Sequence, residues 1–179
     1  MRVRHPFSRA GWALGAWLLV AAAPVPRPAP AFTFALPAGK PAPLASFQGK
    51  VVVIEFLLVR CPHCWRLAQT LDRLHRELGP RGVQAIGVAF DPDLTAKGAS
   101  EFAARAAVGF PVALAAPDQV DAFLGRQAPE RLQVPQLVVV DRAGVIRAQS
   151  RATHETDLED EATLRRAIEG LLAEPARRP

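Results

Sequence analysis

The chain has 179 residues, half of them hydrophobic and 22% charged, which fits one globular domain with a tail and excludes a disordered or collagen-like polypeptide. The formal net charge is +5, but Arg2, Arg4, Arg9 and Arg27 fall in the first 31 residues, where no acid occurs. Setting these aside leaves 18 basic residues against 17 acidic ones, and no basic stripe interleaved with aromatics, so nucleic acid is excluded as a partner.

In chain order, the basic start Met1–Arg9 is followed by a small and apolar run from Gly11 to Ala23. As a helix this run rises only about 20 Å, short of the roughly 20 residues a bilayer core needs. A basic start, a short apolar centre and the small-residue exit Ala29-Pro30-Ala31 are the parts of a secretory signal over residues 1–31. The expected mature domain is 32–179, in the periplasm or otherwise exported. Cleavage nearer Ala23 and an uncleaved membrane tether are the alternatives.

Residues 32–50 are rich in Pro, Ala and Gly and predict a lead-in with at most short edge strands. The continuous apolar run Val51–Val59, interrupted only by Glu55, predicts a strand buried on both faces. Cys61-Pro62-His63-Cys64 follows. Leu67, Leu71, Leu74 and Leu78 then recur at helical spacing, predicting a helix over about 62–78 that ends at Gly79-Pro80-Arg81-Gly82.

Further on, a strand is expected over 83–90, a helix over about 94–107, a short strand over 111–115 and a short helix from Pro117 to about Gly125. Val134-Pro135 precedes a buried strand at Gln136–Val140. The turn Asp141-Arg142-Ala143-Gly144 leads into a strand at Val145–Ser150, and a final helix covers about 157–173. Strands alternating with helices and closing on a hairpin and a helix make an α/β domain without internal repeats.

Export changes how the two cysteines read. A structural disulfide gains with the length of the loop it closes, and a two-residue gap restrains almost nothing, so Cys61 and Cys64 are a reactive couple rather than a staple. At the first turn of a helix, Cys61 faces unpaired amides and the positive end of the helix dipole, which favour a thiolate. Cys61 is expected to attack or be attacked, and Cys64, one turn in and more buried, to resolve. His63 adds a donor or a positive charge, which stabilises the reduced form and makes the oxidised couple the stronger oxidant. Pro62 occupies the first helical position.

The residues bear on other readings of the pair. A haem site needs a histidine directly after the second cysteine, where Trp65 stands. A zinc site needs four ligands, and no further cysteine is available. A thiol peroxidase motif is missing ahead of Cys61. An inert disulfide stays open, and so does a copper-handling module that uses Cys61 and Cys64 without turnover.

Glu55, six residues before Cys61 among apolar neighbours, is a candidate buried acid that passes protons to and from Cys64, or else a carboxylate reaching solvent at a strand edge. Pro135 is compatible with a cis bond that presents the Val134 backbone to a substrate peptide, or with a trans edge proline. Trp65 is expected beside the site, in reach of substrate. His75 and His154 read as solvated, and the Arg-Arg pairs at 165–166 and 177–178 as a solvated face and a frayed tail.

These residues together resemble the thioredoxin superfamily. The likeness covers the whole mature segment in order: a strand bearing an acid, Cys-x-x-Cys at a helix start, a proline-led strand, an Asp-x-x-Gly hairpin and a final helix. Gly49-Lys50 leading into Val-Val-Val-Ile-Glu-Phe, and the strand–helix–strand unit over 83–115, resemble the TlpA-like exported branch. Cys-Pro-His-Cys with Glu55 upstream and Val134-Pro135 later resembles DsbA-type oxidases, but there is no room between Leu78 and Val134 for their long helical insert. Arg60 stands where thioredoxins carry tryptophan.

The resemblance implies a thioredoxin-like fold, a central mixed sheet flanked by helices. It also implies that Cys61 is the exposed cysteine, Cys64 the resolving one and Pro135 the cis-proline. It implies no bound cofactor and no metal, since the disulfide carries the electrons. The implied partners are protein thiol or disulfide substrates and a redox partner that recycles the couple.

Overall fold

The computed structural model describes residues 25–126, 132–150 and 157–175. The apolar run of the expected signal, His154 and the Arg177-Arg178 pair lie outside them. The main sheet is built from β1 (Arg27–Pro28), β4 (Val51–Leu57), β5 (Val83–Ala89), β6 (Val112–Leu114), β7 (Gln136–Val140) and β8 (Val145–Gln149). Its order is β1-β8-β7-β4-β5-β6. Strand β4 runs parallel to β5 and β5 to β6, whereas β7 is antiparallel to β4 and β8, and β1 is antiparallel to β8. A separate two-stranded ribbon joins β2 (Thr33–Phe34) to β3 (Ala42–Pro43).

Chain handedness decides where the helices go. The crossovers β4–β5 and β5–β6 step the same way across the sheet, so α1 (Pro62–Leu78) and α2 (Ala96–Ala106) share one face. The connection from β6 back to β7, which runs antiparallel to β6, carries α3 (Pro117–Leu124), and this helix packs on the other face. The last helix, α4 (Glu161–Ala173), returns to the α1 face, where Leu164 and Ile168 pack with Leu71, Leu74 and Val53. On the α3 face Phe32, Phe34, Phe56 and Phe123 form a ring cluster with centroids 5.1 to 6.0 Å apart. Rings at such spacing add about 0.5–1.5 kcal/mol per pair beyond their burial.

Every residue of β4 is buried, as expected for a strand covered on both faces. The strand stops at Leu57 rather than Val59, because the Val59 amide leaves the ladder and donates to Asp91 Oδ2 at 3.1 Å. The expected helix over 157–173 begins as a short 3-10 turn, Asp157–Glu159, and restarts at Glu161. Asp160 breaks it by capping α4, with Oδ1 accepting from the Thr163 amide at 2.9 Å. The hairpin turn at 141–144 is as expected: Asp141 Oδ1 accepts from the amides of Ala143 and Val145, and Gly144 takes a φ of +81°.

Two sequence readings differ from the structure. His75 is half-buried rather than solvated. Its ring stands edge-on to Phe110, and Nδ1 accepts from the Ala85 amide at 3.4 Å; burial, followed by the charge of Lys50, outweighs Asp72 and the Val83 backbone and holds its pKa below the ordinary histidine value. The folded unit also reaches ahead of Phe32. Arg27 pairs with Ile146, and its guanidinium donates to Phe123 O at 3.0 Å and to Gln149 Oε1 at 2.7 Å, because the open edge of β8 offers an unpaired row of backbone groups.

Candidate active site

The C-terminal end of β4, the first turn of α1 and the loop entering β7 meet at one end of the sheet. Pro62 opens α1, where its missing N–H costs nothing, and Cys61 is the N-cap with φ −83° and ψ 116°. The Cys61 sulfur takes the place of the usual capping oxygen: the Cys64 amide donates to Cys61 Sγ at 3.3 Å. On its other side Cys61 Sγ donates to the carbonyl of Val134 at 3.8 Å. The Val134–Pro135 peptide bond is cis, Pro135 is buried and Val134 half-buried. Thus two segments distant in sequence meet at the same sulfur.

The two cysteines are unequal. Cys61 is half-buried and Cys64 is fully buried, and both are free thiols. Burial pushes the Cys64 thiol up, reinforced by its hydrogen bond with Cys61 and opposed by the Leu58 backbone amide. Leu58 O in turn accepts from the Cys61 amide at 3.0 Å, which fixes the strand-to-helix corner.

Glu55 is completely buried, and neither carboxylate oxygen has a hydrogen-bond partner among the described residues. This rules out a side chain reaching solvent at a strand edge. Strand alternation places Glu55 on the face of β4 that carries Val53 and Leu57, the face on which Cys64 is buried. Burial first, then the neighbouring Cys61 and Glu159, push its carboxyl well above the usual carboxylate range.

His63 is exposed: its Nδ1 accepts from Arg66 at 3.0 Å, and among the described residues no hydrogen bond joins it to Cys61. Trp65 is half-buried beside the site. Its Nε1–H donates to Val59 O at 3.0 Å, its ring stands edge-on to Phe102, and the Arg105 guanidinium lies 5.4 Å from the ring centroid. No group of three or more metal-ligating side chains occurs among the described residues, and none of their helices is long and apolar enough to cross a membrane.

Sequence reasoning missed Asp91 and Arg105. Asp91 anchors the Val59 amide just ahead of Cys61 from the end of the neighbouring parallel strand; its Asp-Pro step after a buried strand was the available signal. Arg105 carried no local signal, since it comes to the site only through the packing of α2.

The family described as Redoxin matches residues 24–168. No curated protein sequence matches the chain. Among solved structures, it is similar to a thiol:disulfide interchange protein of the thioredoxin family from Chlorobium tepidum, with 23% identity, a TM-score of 0.67, and 85% of this chain and 100% of that one covered. It is similar to the thioredoxin domain of a thiol-disulfide oxidoreductase from Bacteroides vulgatus, at 21% identity and TM-score 0.64, covering 83% and 98%. A candidate protein disulfide isomerase from Bacteroides thetaiotaomicron shares 27% identity at TM-score 0.68, covering 84% and 91%. The fold is therefore thioredoxin-like, a mixed six-stranded sheet flanked by four helices.

Proposed function

The chain belongs to the Redoxin family, and on that footing we propose that it is a thiol–disulfide oxidoreductase exchanging disulfides with protein substrates through Cys61 and Cys64. The observation that carries this reading is the Cys64 amide donating to Cys61 Sγ at a helix start, with the buried Cys64 thiol behind it. In the reducing direction the Cys61 thiolate attacks one sulfur of a substrate disulfide. A mixed disulfide forms and the other substrate sulfur leaves as a thiolate. Glu55, in its ionised form, then takes the proton of Cys64, and the Cys64 thiolate attacks Cys61 Sγ. The Cys61–Cys64 disulfide forms, the second substrate thiolate leaves, and two electrons have passed to the substrate. The oxidising direction is the same sequence reversed, with the proton returning from Glu55 to Cys64.

The roles around the pair follow from position. Pro62 sets the helix start, and Val134 and Pro135 present a backbone carbonyl beside the reacting sulfur, where a substrate peptide can pair. Trp65 forms the neighbouring wall. His63 supplies an exposed donor at the rim. The N-terminal pattern of basic, apolar and small residues supports export to the periplasm, and the strand and hairpin motifs support placement in the TlpA-like branch. A second dithiol protein recycles the couple, and the potential of the Cys61–Cys64 couple, measured by its equilibrium with glutathione, decides between donating and accepting disulfides.

The test is trapping. Replacing Cys64 with Ala lets the first step occur and blocks the second, so protein partners accumulate disulfide-linked to Cys61. Recovery of partners on a Cys61→Ala chain instead would reverse the two roles. Tight stoichiometric copper binding by the reduced protein without any disulfide exchange would replace the reading by a copper-handling one.

A further inference from the structure

Beside Cys61 a groove of about 660 Å³ opens between the start of α1 and the α2 side of the domain, lined by residues on either side of the cysteine, Arg60 and Pro62. Val59, Trp65 and Leu94 give it an apolar floor, and Arg60 and Arg105 stand along it. The floor is preformed, because Trp65 is held by Val59 O and by the edge of Phe102. Rigid aromatic walls of this kind lower the ordering cost of binding.

The charge around this groove is uncompensated. Arg60, Arg66 and Arg105 are exposed, and none has a carboxylate within ion-pair distance among the described residues. Elsewhere on the surface Arg73, Arg81, Arg147 and Arg165 each face one. Two acids lie here: Asp91 accepts from the Val59 amide, and Glu101, the one carboxylate lining the groove beside its two arginines, lies 3.7 Å from Lys97. Arg105 is instead spread over the Trp65 ring and Arg66 donates to His63. Since the domain after residue 31 is almost neutral in total, the positive field at this end is local.

Building on the oxidoreductase reading, we infer that the groove receives an acidic protein segment, one in which the reacting cysteine is flanked by an apolar side chain and by carboxylates. The apolar side chain rests on Trp65 and Leu94, and the carboxylates face Arg60 and Arg105. A field of this sign selects partners mainly by speeding encounter.

The experiment uses the reduced full chain and three short cysteine peptides activated as 2-pyridyl disulfides, alike except for Asp/Glu, Asn/Gln or Lys flanks. Attack by Cys61 on the peptide sulfur releases thiopyridone, whose absorbance gives the rate. The acidic peptide reacts about ten-fold faster than the lysine peptide at low salt, and the ratio falls towards one at about 1 M salt. In the double variant Arg60→Glu, Arg105→Glu the preference inverts, and in Arg60→Gln, Arg105→Gln it disappears. The ratio between peptides is the readout, so a general loss of reactivity in a variant leaves it interpretable. Equal rates for the three peptides, or a preference that survives both variants, overturns the inference and leaves the oxidoreductase reading standing. If no peptide reacts, both fall.

Discussion

The Cys64 amide donates to the sulfur of Cys61 at 3.3 Å, so the outer cysteine caps the helix whose first turn carries the inner one. One hydrogen bond therefore aligns the two sulfurs and leaves only the outer one accessible. Reactivity should divide accordingly. Iodoacetamide added to the reduced protein at neutral pH is expected to modify Cys61 at least about ten-fold faster than Cys64, whose thiol burial pushes up. Peptide mapping against time checks this, and equal labelling of the native protein would contradict it.

Glu55 should destabilise the fold at neutral pH. Its folded pKa is raised, so between the unfolded value near 4.3 and the folded one the native state holds a proton that the unfolded chain has released. Stability therefore falls as pH rises through that window, and the penalty vanishes below it. Glu55→Gln is expected to melt at the same temperature as the parent near pH 4 and higher at pH 8, with about 2–4 °C gained per kcal/mol relieved. The same variant should exchange disulfides more slowly, because Cys64 loses its proton acceptor. Matched melting curves at both pH values would remove Glu55 as a buried titrating acid.

Asp72 is a latch rather than a site residue. It is buried on α1, pairs with Arg76, and its Oδ1 accepts from the Gly109 amide at 2.7 Å, tying α1 to the loop before β6. Asp72→Ala leaves that amide without its acceptor and is expected to cost about 1–3 kcal/mol in urea unfolding. Asp72→Asn keeps an acceptor and should cost less. An equal loss in both variants would point to the charge rather than the amide contact.

Arg27, Pro28 and Ala29, ahead of Phe32, are part of the fold. A chain beginning at Phe32 loses the β1 pairing, the Arg27 contacts with Phe123 and Gln149, and the bond from the Ala29 amide to Gly144 O at 2.9 Å. It is expected to be less stable than one beginning at Pro24 by about 1–3 kcal/mol. N-terminal sequencing of the protein recovered from cells should accordingly find a start before Arg27. A mature start at Phe32 with unchanged stability would make β1 dispensable.

Much of this protein is legible along the chain because its signals are local. The apolar run of β4, the leucine spacing of α1 and the turn chemistry of Asp141–Gly144 each state their own conformation, since strand burial, helical period and turn residues act over a few neighbours. Cys61 and Cys64 declare their chemistry through their spacing and their place at a helix start. What the chain alone left open was the environment of each side chain. Glu55 had two readings, and only the stacking of α1 and α4 over β4 removed its solvent. His75 looked polar by its neighbours, yet Phe110 and the free amide of Ala85 reach it from elsewhere. Arg60 stands next to Cys61 in the chain, but its pairing with Arg105 was invisible in sequence, because the two share a groove only once α2 has packed. Local interactions determine which elements form; long-range packing determines which groups lose water and which charges meet.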